Sequence, residues 1–194
     1  MSLEVIYEAV LNGDANTAGA ETQKALADGI PAADILHQAC VPAMTKVGEL
    51  FEAGEKFVPE MLISARAMQA AMEEINAKND AEGLPHLEMG IGISSGEVVV
   101  GNIGSELRTK YSVVGSPVNF TSRIEGMATA GQVLIGAVTH GKVQDLVETG
   151  EVLHVSMKGI PGQVTLYEVR GLGPPYNMRL KDRQEALVPL PARL

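Results

Sequence analysis

The sequence contains no tryptophan and only one cysteine, and aromatic residues make up 4% of its 194 residues. A hydrophobic core in this chain must therefore be built from aliphatic side chains, with Met and Ala filling the gaps. The single cysteine, Cys40, excludes an intramolecular disulfide. It lies among apolar neighbours in "ILHQACVPAM", which favours a small buried hydrophobe over a reactive thiol.

Long apolar runs and an excess of basic residues are also missing. No stretch of 18 apolar residues occurs, so we expect no membrane span. The N-terminus "MSLEVIYEAV" is acidic and amphipathic, unlike a signal peptide, and we expect a cytoplasmic location. The net charge of −9 and the pI of about 4.9 argue against nucleic acid or anionic membranes as partners.

The acidic residues are unevenly spread, which indicates two different segments. Residues 1–80 carry 13 acidic and 5 basic side chains, whereas residues 81–194 carry 11 and 10. Helix-start residues and apolar spacing in the first segment predict four helices with short loops, hence an antiparallel four-helix bundle. Asp14 is expected to cap the second helix, and Pro42 is expected to kink or divide the third. Nothing in this segment indicates catalysis.

The second segment changes to a β-rich, glycine-punctuated pattern. "LEMGIGISSGEVVVGNIG" predicts two strands, "TKYSVVG" a third, and "QVLIG" a short buried one. "SPVNFTSRIEGMA" and "AVTHGKVQDLV" predict helices, and "VLHVSMKGIPGQVTLYEVR" predicts a hairpin that turns near Gly159–Gly162. The predicted fold class is therefore α followed by α+β. A Pro/Gly break precedes a C-terminal tail.

Asn119 and Arg123 form a candidate site in "VVGSPVNFTSR". They are four residues apart, so they share one face in the first turns of the predicted helix. An Arg there can hold a phosphate in fork geometry, and an Asn amide can hold a sugar or phosphate oxygen. The alternative is that neither residue binds a ligand: the Arg is simply exposed, and the Asn is hydrogen-bonded to nearby backbone. The spacing alone favours this alternative.

The stretch "MGIGISSGEVVVGNIGSELRTKYSVVGSPVNFTSRIE", followed by "GQVLI" and "MKGIPGQVTLYEV", resembles the C-terminal half of class III adenylate/guanylate cyclase catalytic domains. The resemblance runs from about residue 68 to 169. It implies that Asn119 and Arg123 stand where the family stabilises the transition state of cyclisation. It also implies that Lys158 contacts the triphosphate and that Ser112 occupies the place that helps to choose the purine. The Ser112 hydroxyl can donate or accept, so the choice of base stays open.

The same resemblance shows a departure from the family. Its reaction uses two metal ions held by two Asp residues in the N-terminal half of the domain, and that half is missing. The acidic residues of the first segment, such as Asp14, Asp28 and Asp34, lie at helix starts and loops. We therefore expect no cofactor and no catalysis by this chain alone, and Mg²⁺ or Mn²⁺ only if another chain completes the site in trans.

The first segment has a resemblance of its own. "IYEAVLNGDANTAGAETQKALADGIPAADILHQACVPAMTKVGELFEAGEKFVPEMLISARAM" resembles the helical cap domain of corrinoid proteins and cobalamin-dependent methionine synthases, over about residues 3–72. In that family the cobalt ligand comes from a following domain with an Asp-x-His-x-x-Gly motif, which this sequence lacks. We therefore do not expect cobalamin to bind.

These resemblances imply a helical domain over 1–79, a partial cyclase domain over 80–172 and a tail over 173–194, with one helix near residues 59–79 satisfying both families. A natural fusion, a fragment and a deliberate chimera all stay open. We prefer an inactive cyclase-homology module that binds a purine nucleoside triphosphate or a partner. The alternatives are a cyclase completed in trans and a corrinoid-handling accessory protein of a methyltransferase system.

Self-association is expected from the apolar strands. Class III cyclase domains pair head to tail, and this sheet has lost its N-terminal strands, so an edge should carry unpaired backbone groups. We expect a homodimer, or a higher symmetric oligomer, whose contact includes the strands around Val98–Val100 or Tyr111–Val114. The alternative is a monomer whose tail covers that edge.

Overall fold

The computed structural model describes residues 2–105 and 108–180, with the side chains of 102–111 left out of the description. By contacts it divides into two compact units. The first contains residues 2–88 with 142–148 and 171–178, and the second contains 89–141, 149–170 and 179–180. The fold class, helices followed by an α+β region, is confirmed.

The helical region begins with α1 (Ser2–Asn12) and α2 (Ala15–Ala27), then α3 (Ala32–Ile35), a π-helical segment (Leu36–Cys40) and α4 (Val41–Glu52). It ends with α5 (Val58–Glu82). These six helical segments correct the expected four-helix bundle. The third predicted helix is the one that is subdivided, because α3, the π-helical segment and α4 follow one another without a gap.

Pro42 explains that subdivision. Proline has no N–H to donate within the helix, and Pro42 lies at the start of α4. Just before it, the Val41 N–H donates to the Leu36 carbonyl five residues back, which is the wide turn of a π-helix. The third predicted helix is therefore divided next to Pro42, as expected, and the chain stays helical there because one turn widens.

Polar contacts hold the ends of these helices. The Asp14 carboxylate accepts from the Thr17 N–H at 3.0 Å, so the predicted cap of α2 is confirmed. The Thr17 hydroxyl, followed by that N–H, holds the pKa of Asp14 below its usual value. At the end of α1 the Leu11 carbonyl accepts from Lys56 Nζ at 2.8 Å and from the Ser64 hydroxyl at 3.1 Å. These bonds satisfy a carbonyl that has no partner within its own helix.

Helix α5 is the longest element and is buried along almost its whole length. Every residue from Ala67 to Met72 is buried, so α5 is covered on more than one face. Two hydrogen bonds to the Glu60 carboxylate hold the first turn of α5. That carboxylate accepts from the Phe57 N–H at 3.0 Å and from the Tyr176 hydroxyl, which joins residues 171–178 to the helices of the same unit.

The α+β region contains one mixed sheet and a separate two-stranded ribbon. Its elements are β1 (Ile91–Ile93), β2 (Val99–Ser105), β3 (Arg108–Val114), α6 (Ser116–Glu125), β4 (Val133–Gly136), α7 (Ala137–Val143), β5 (Val147–Ser156), β6 (Gln163–Leu172) and β7 (Met178–Arg179). The sheet order is β1-β4-β6-β5, with β7 also on β6, and β2 pairs with β3 alone. Strands β1 and β4 are parallel, with Ile91 opposite Val133, and α6 lies in the connection between them. The hairpin predicted near Gly159–Gly162 is confirmed between β5 and β6.

Gly13 offers a direct test of the packing between the α1–α2 turn and α5. Its φ is +78°, and a Cβ there would lie 2.0 Å from Ile63 Cγ2. Gly54 has a similar φ of +74° but open space around it. We expect Gly54→Ala to cost only the left-handed backbone strain of about 1 kcal/mol, whereas Gly13→Ala adds an overlap of about 1–3 kcal/mol. Chemical denaturation of both variants measures the difference, and equal losses would contradict this packing.

Candidate functional site

Helix α6 sits very close to the sheet of its own unit because glycines face it. A Cβ at Gly92 on β1 would lie 2.4 Å from the Glu125 backbone nitrogen, and one at Gly136 on β4 would lie 2.9 Å from the Phe120 ring. On the buried side of α6, Ile124 packs with Leu134 and other core residues, Met157 and Leu166. The sheet therefore sets where α6 lies and which of its faces points outward.

The structure places Asn119 and Arg123 on α6, four residues apart, and both side chains are exposed. The residue next to Arg123, Ile124, is fully buried. A helix with its apolar residues held by the sheet must present residues from its other face to solvent. Asn119 and Arg123 are therefore presented together on the accessible side of α6.

Lys158 lies in the turn between β5 and β6, beside Arg123. The Ile160 N–H donates to the Met157 carbonyl at 3.1 Å, which closes a β-turn with Lys158 and Gly159 at its centre. Gly159 has a φ of +78°, which favours glycine at the third position of such a turn. A Cβ at Gly159 would lie 3.8 Å from Arg123 Nη2. The turn thus brings the backbone next to Lys158 up to the Arg123 guanidinium.

The charges at this point are not neutralised by protein groups that the structure describes. Within residues 2–105 and 108–180, Asn119, Arg123 and Lys158 make no side-chain hydrogen bond or ion pair. An anion bound at the Arg123 guanidinium would lie beside the turn that carries Lys158 and would be attracted by the positive charge of both residues. The arrangement can therefore hold a phosphate.

Ser112 lies on β3 opposite Gly101 of β2, three residues before the glycine that leads into α6. Its side chain is half-buried. Among the described residues, no side-chain hydrogen bond joins Ser112 to Arg123 or Lys158. The structure therefore brings Arg123 and the Lys158 turn together, keeps Asn119 on the same helix, and leaves Ser112 on a neighbouring element.

The residues present do not fit a metal centre. In the described part of the chain, no group of three or more His, Cys, Asp or Glu side chains could hold a metal ion. Cys40 is buried, and burial raises the pKa of its thiol to about 11, so it is a poor metal ligand. The described side chains therefore offer no cluster of three ligands from which this chain could build a metal site.

Sequence reasoning did not find a polar contact next to this site. The Ser95 N–H donates to the Thr139 hydroxyl at 2.8 Å, and that hydroxyl donates to Ser95 Oγ at 3.2 Å. Thr139 is fully buried on α7. The two residues are 44 positions apart, so no local pattern could have paired them.

The comparisons with known proteins agree with both resemblances. Residues 2–76 match the family model described as B12 binding domain. Adenylate cyclase 1 of Rhizobium meliloti (strain 1021) is 32% identical over 110 residues, which cover 56% of this chain and 16% of that protein. Monomethylamine corrinoid protein 2 of Methanosarcina acetivorans is 38% identical over 73 residues, which cover 38% of this chain and 34% of that protein.

Two solved structures resemble the chain in fold. The guanylyl cyclase Cya2 is 49% identical with a TM-score of 0.53, over 59% of this chain and 58% of that one. The adenylyl cyclase CyaB from P. aeruginosa has a TM-score of 0.55 over 76% of this chain and 87% of that one, and at 24% identity it shows the fold alone. The resemblances to a corrinoid-type helical domain and to a class III cyclase domain are thus confirmed.

The chain spans only part of the two curated relatives named above, 16% of one and 34% of the other. In the described residues, no helix has both the length and the apolar character needed to cross a membrane.

Gly92 tests whether the sheet positions α6. Gly92→Ala forces a Cβ to within 2.4 Å of the Glu125 nitrogen, so we expect α6 to shift and unfolding to become easier by about 1–3 kcal/mol. Gly101→Ala is the matched control, because Gly101 is also a strand glycine but has open space around it. Thermal unfolding of the two variants checks this, and a Gly92→Ala protein as stable as the Gly101→Ala protein would refute it.

Proposed function

We propose that this chain is an incomplete class III nucleotide cyclase homology module, joined to a corrinoid-type helical domain. In this proposal it binds a purine nucleoside triphosphate and does not cyclise it alone. The domain limits of 1–79, 80–172 and 173–194 are part of the proposal. So is an intracellular signalling or interaction role, because a module that binds without turnover can still report the ligand to a partner.

The observation that carries the proposal is the pairing of Arg123 with the Lys158–Gly159 turn. The guanidinium is 3.8 Å from the Cβ position of Gly159, and no carboxylate of the described chain neutralises it. An Arg fork can bind a phosphate with two parallel N–H bonds, while a Lys ammonium acts as a point charge beside it. In the proposal Arg123 and Lys158 therefore bind the triphosphate.

Two further residues take supporting roles. Asn119 lies one helical turn before Arg123, so its amide can donate to a ribose or phosphate oxygen next to the phosphate that Arg123 holds. Ser112 is proposed to face the base. Because its hydroxyl can donate or accept, neither ATP nor GTP is favoured by this residue.

The proposal includes no turnover because the described residues contain no cluster of carboxylates that could hold metal ions next to Arg123 and Lys158. Cyclisation needs the ribose 3′-oxygen to lose its proton as it attacks the α-phosphate, and the leaving pyrophosphate carries more charge. The described residues offer Arg123, Lys158 and Asn119 for that charge, but no group of carboxylates to hold metal ions. Binding without cyclisation is therefore what these side chains support.

Titration calorimetry of the full chain with GTP and with ATP tests the proposal. We expect binding that Arg123→Ala weakens about tenfold or more, which corresponds to one charge-assisted hydrogen bond. Lys142→Ala is the control, because Lys142 is an exposed cation on α7 outside the proposed site, and it should bind like the wild type.

The same samples, incubated with Mg²⁺ or Mn²⁺, should form no cyclic nucleotide by mass spectrometry. Turnover that is reproducible and disappears in Arg123→Ala would show that the chain is active alone. If turnover appears only after adding a second chain that carries the two metal-binding Asp residues, the alternative of a cyclase completed in trans is favoured.

A homodimer through the β2–β3 ribbon is also part of the proposal. Val99 and Val114 face each other across the ribbon and are 72% and 51% exposed. Within residues 2–105 and 108–180, neither strand pairs with any other strand. An exposed apolar strand pair is stabilised by covering it, and a second copy offers an identical surface. The alternative, a covering tail, depends largely on residues 181–194, which lie outside the described residues.

Sedimentation equilibrium at micromolar concentration tests the dimer. We expect the wild type to sediment above the 20.5 kDa of one chain. Val99→Glu should sediment as a monomer, because burying a carboxylate in the contact between two ribbons has a high desolvation cost. Val138→Glu is the matched control, since Val138 is 62% exposed on α7 and lies off the ribbon. A wild-type chain that stays at 20.5 kDa on concentration would rule the dimer out.

The helical domain suggests a second candidate function, since residues 2–76 match the B12 binding domain. A corrinoid-handling role would use this domain to cover a corrin held by a partner. We nevertheless propose that the chain alone holds no corrinoid tightly, because the Asp-x-His-x-x-Gly motif that carries the cobalt ligand in that family is missing from the sequence.

Adding cobalamin to the purified chain and separating free ligand by gel filtration tests this. The protein fraction should carry no visible corrin absorbance. A protein peak with the spectrum of bound cobalamin would contradict the proposal and favour the corrinoid function.

A further inference from the structure

We propose that Thr139 is a positioning residue that fixes the loop of residues 94–97 against the first turn of α6, and so sets where Asn119 stands. The inference rests in part on the proposed function, since it assigns to Thr139 an indirect role in nucleotide binding. All the residues it uses lie in one compact unit.

First, hydrogen bonds between Thr139 and Ser95 join α7 to the loop of residues 94–97. Thr139 is fully buried, and its hydroxyl is used in both directions. It accepts from the Ser95 N–H at 2.8 Å and donates to Ser95 Oγ at 3.2 Å. Ser95 is half-buried, and its N–H loses its protein acceptor when the Thr139 hydroxyl is removed, which costs free energy. The loop therefore depends on this hydroxyl for its backbone position.

The second step is the contact between the loop and α6. Gly96 directly follows Ser95, and a Cβ there would lie 2.4 Å from Pro117 Cγ. On the other side, a Cβ at Gly115 would lie 3.3 Å from the Glu97 carbonyl oxygen. The Gly96 backbone thus packs against the Pro117 ring, and the Glu97 carbonyl packs against the Gly115 backbone. A side chain at either glycine would crowd these atoms.

The third step connects this contact to the proposed ligand site. Pro117 lies in the first turn of α6. Because its ring is part of the backbone and fixes φ, a displacement of the ring also displaces the first turn. Asn119 is two residues further along the same turn. A loop released by loss of the Thr139 hydroxyl would let this end of α6 move, while Ile124 still anchors the other end in the core.

Thr139→Val and Thr139→Ser separate the hydroxyl from the size of the side chain. Valine is nearly the same shape but can neither accept from nor donate to Ser95, whereas serine can do both. Thr149→Val is the control, because Thr149 is exposed on β5. Each variant is compared with the wild type in the full chain.

Amide hydrogen exchange followed by NMR is the first measurement, and it needs no nucleotide. The Ser95 N–H reports the loop, and the Val118 N–H, which donates to the Gly115 carbonyl at 3.1 Å, reports the start of α6. We expect Thr139→Val to speed exchange about tenfold at both amides, and Thr139→Ser and Thr149→Val to leave both near the wild-type rate. Faster exchange at Ser95 alone would overturn the proposal.

GTP affinity is the second measurement, and a merely structural residue would not change it. We expect Thr139→Val to weaken GTP binding several-fold and Thr139→Ser to restore it. Affinity that is unchanged in Thr139→Val would overturn the role in binding. If the wild type itself binds no GTP, the proposed function fails, and the exchange at Val118 still decides whether Thr139 positions α6.

Gly96→Ala provides a second route if Thr139→Val does not fold. It disturbs the same contact from the loop side and leaves the Thr139 hydroxyl in place. We expect faster exchange at Val118 and weaker GTP binding in this variant. Wild-type values for both would show that the loop does not position α6, and would overturn the proposal.

Discussion

The close seating of α6 on strands β1 and β4 is the constraint on which the rest of the site depends. This close packing is possible because Gly92 and Gly136 have no side chain. A Cβ added at Gly92 would lie 2.4 Å from the Glu125 nitrogen, and one added at Gly136 would lie 2.9 Å from the Phe120 ring. Ile124 then fills the core beneath the helix. With the buried face fixed in this way, the outward direction of Arg123 is fixed too, and the Gly159 turn lies next to its guanidinium.

The positions of Arg123 and the Lys158 turn support the proposed binding of a phosphate. Arg123 forms no ion pair among the described residues and lies beside the turn that carries Lys158, so positive charge is concentrated there in a chain whose net charge is −9. Such a point attracts phosphate groups. Lowering a barrier requires more than attraction, since charge must be stabilised better in the transition state than in the bound substrate. In the proposed function Arg123 and Lys158 supply the attraction, and the described residues contain no cluster of three metal-ligating side chains that could add to it.

Much of this could be predicted from the sequence, where the signal is local. The i, i+4 spacing placed Asn119 and Arg123 on one helix face, and Gly159–Gly162 marked the hairpin turn. The role of Lys158 came from the resemblance to the cyclase family. The π-helical segment before Pro42 was not predicted, because a helix can absorb a proline by widening one turn as well as by breaking. The bond between Thr139 and Ser95 joins residues 44 positions apart, and the tight approach to Gly92 is a tertiary contact. Neither leaves a periodic pattern in the sequence.

The most direct test of the central claim is the dissociation constant of GTP for the full chain, measured by calorimetry in EDTA and again in Mn²⁺. If the protein's own cations hold the triphosphate, binding is present in EDTA, weakens as salt is added, and changes only a few-fold with Mn²⁺. Binding that is absent in EDTA and appears only with Mn²⁺ would contradict the account, because it would show that the protein's own cations do not hold the triphosphate without a metal ion.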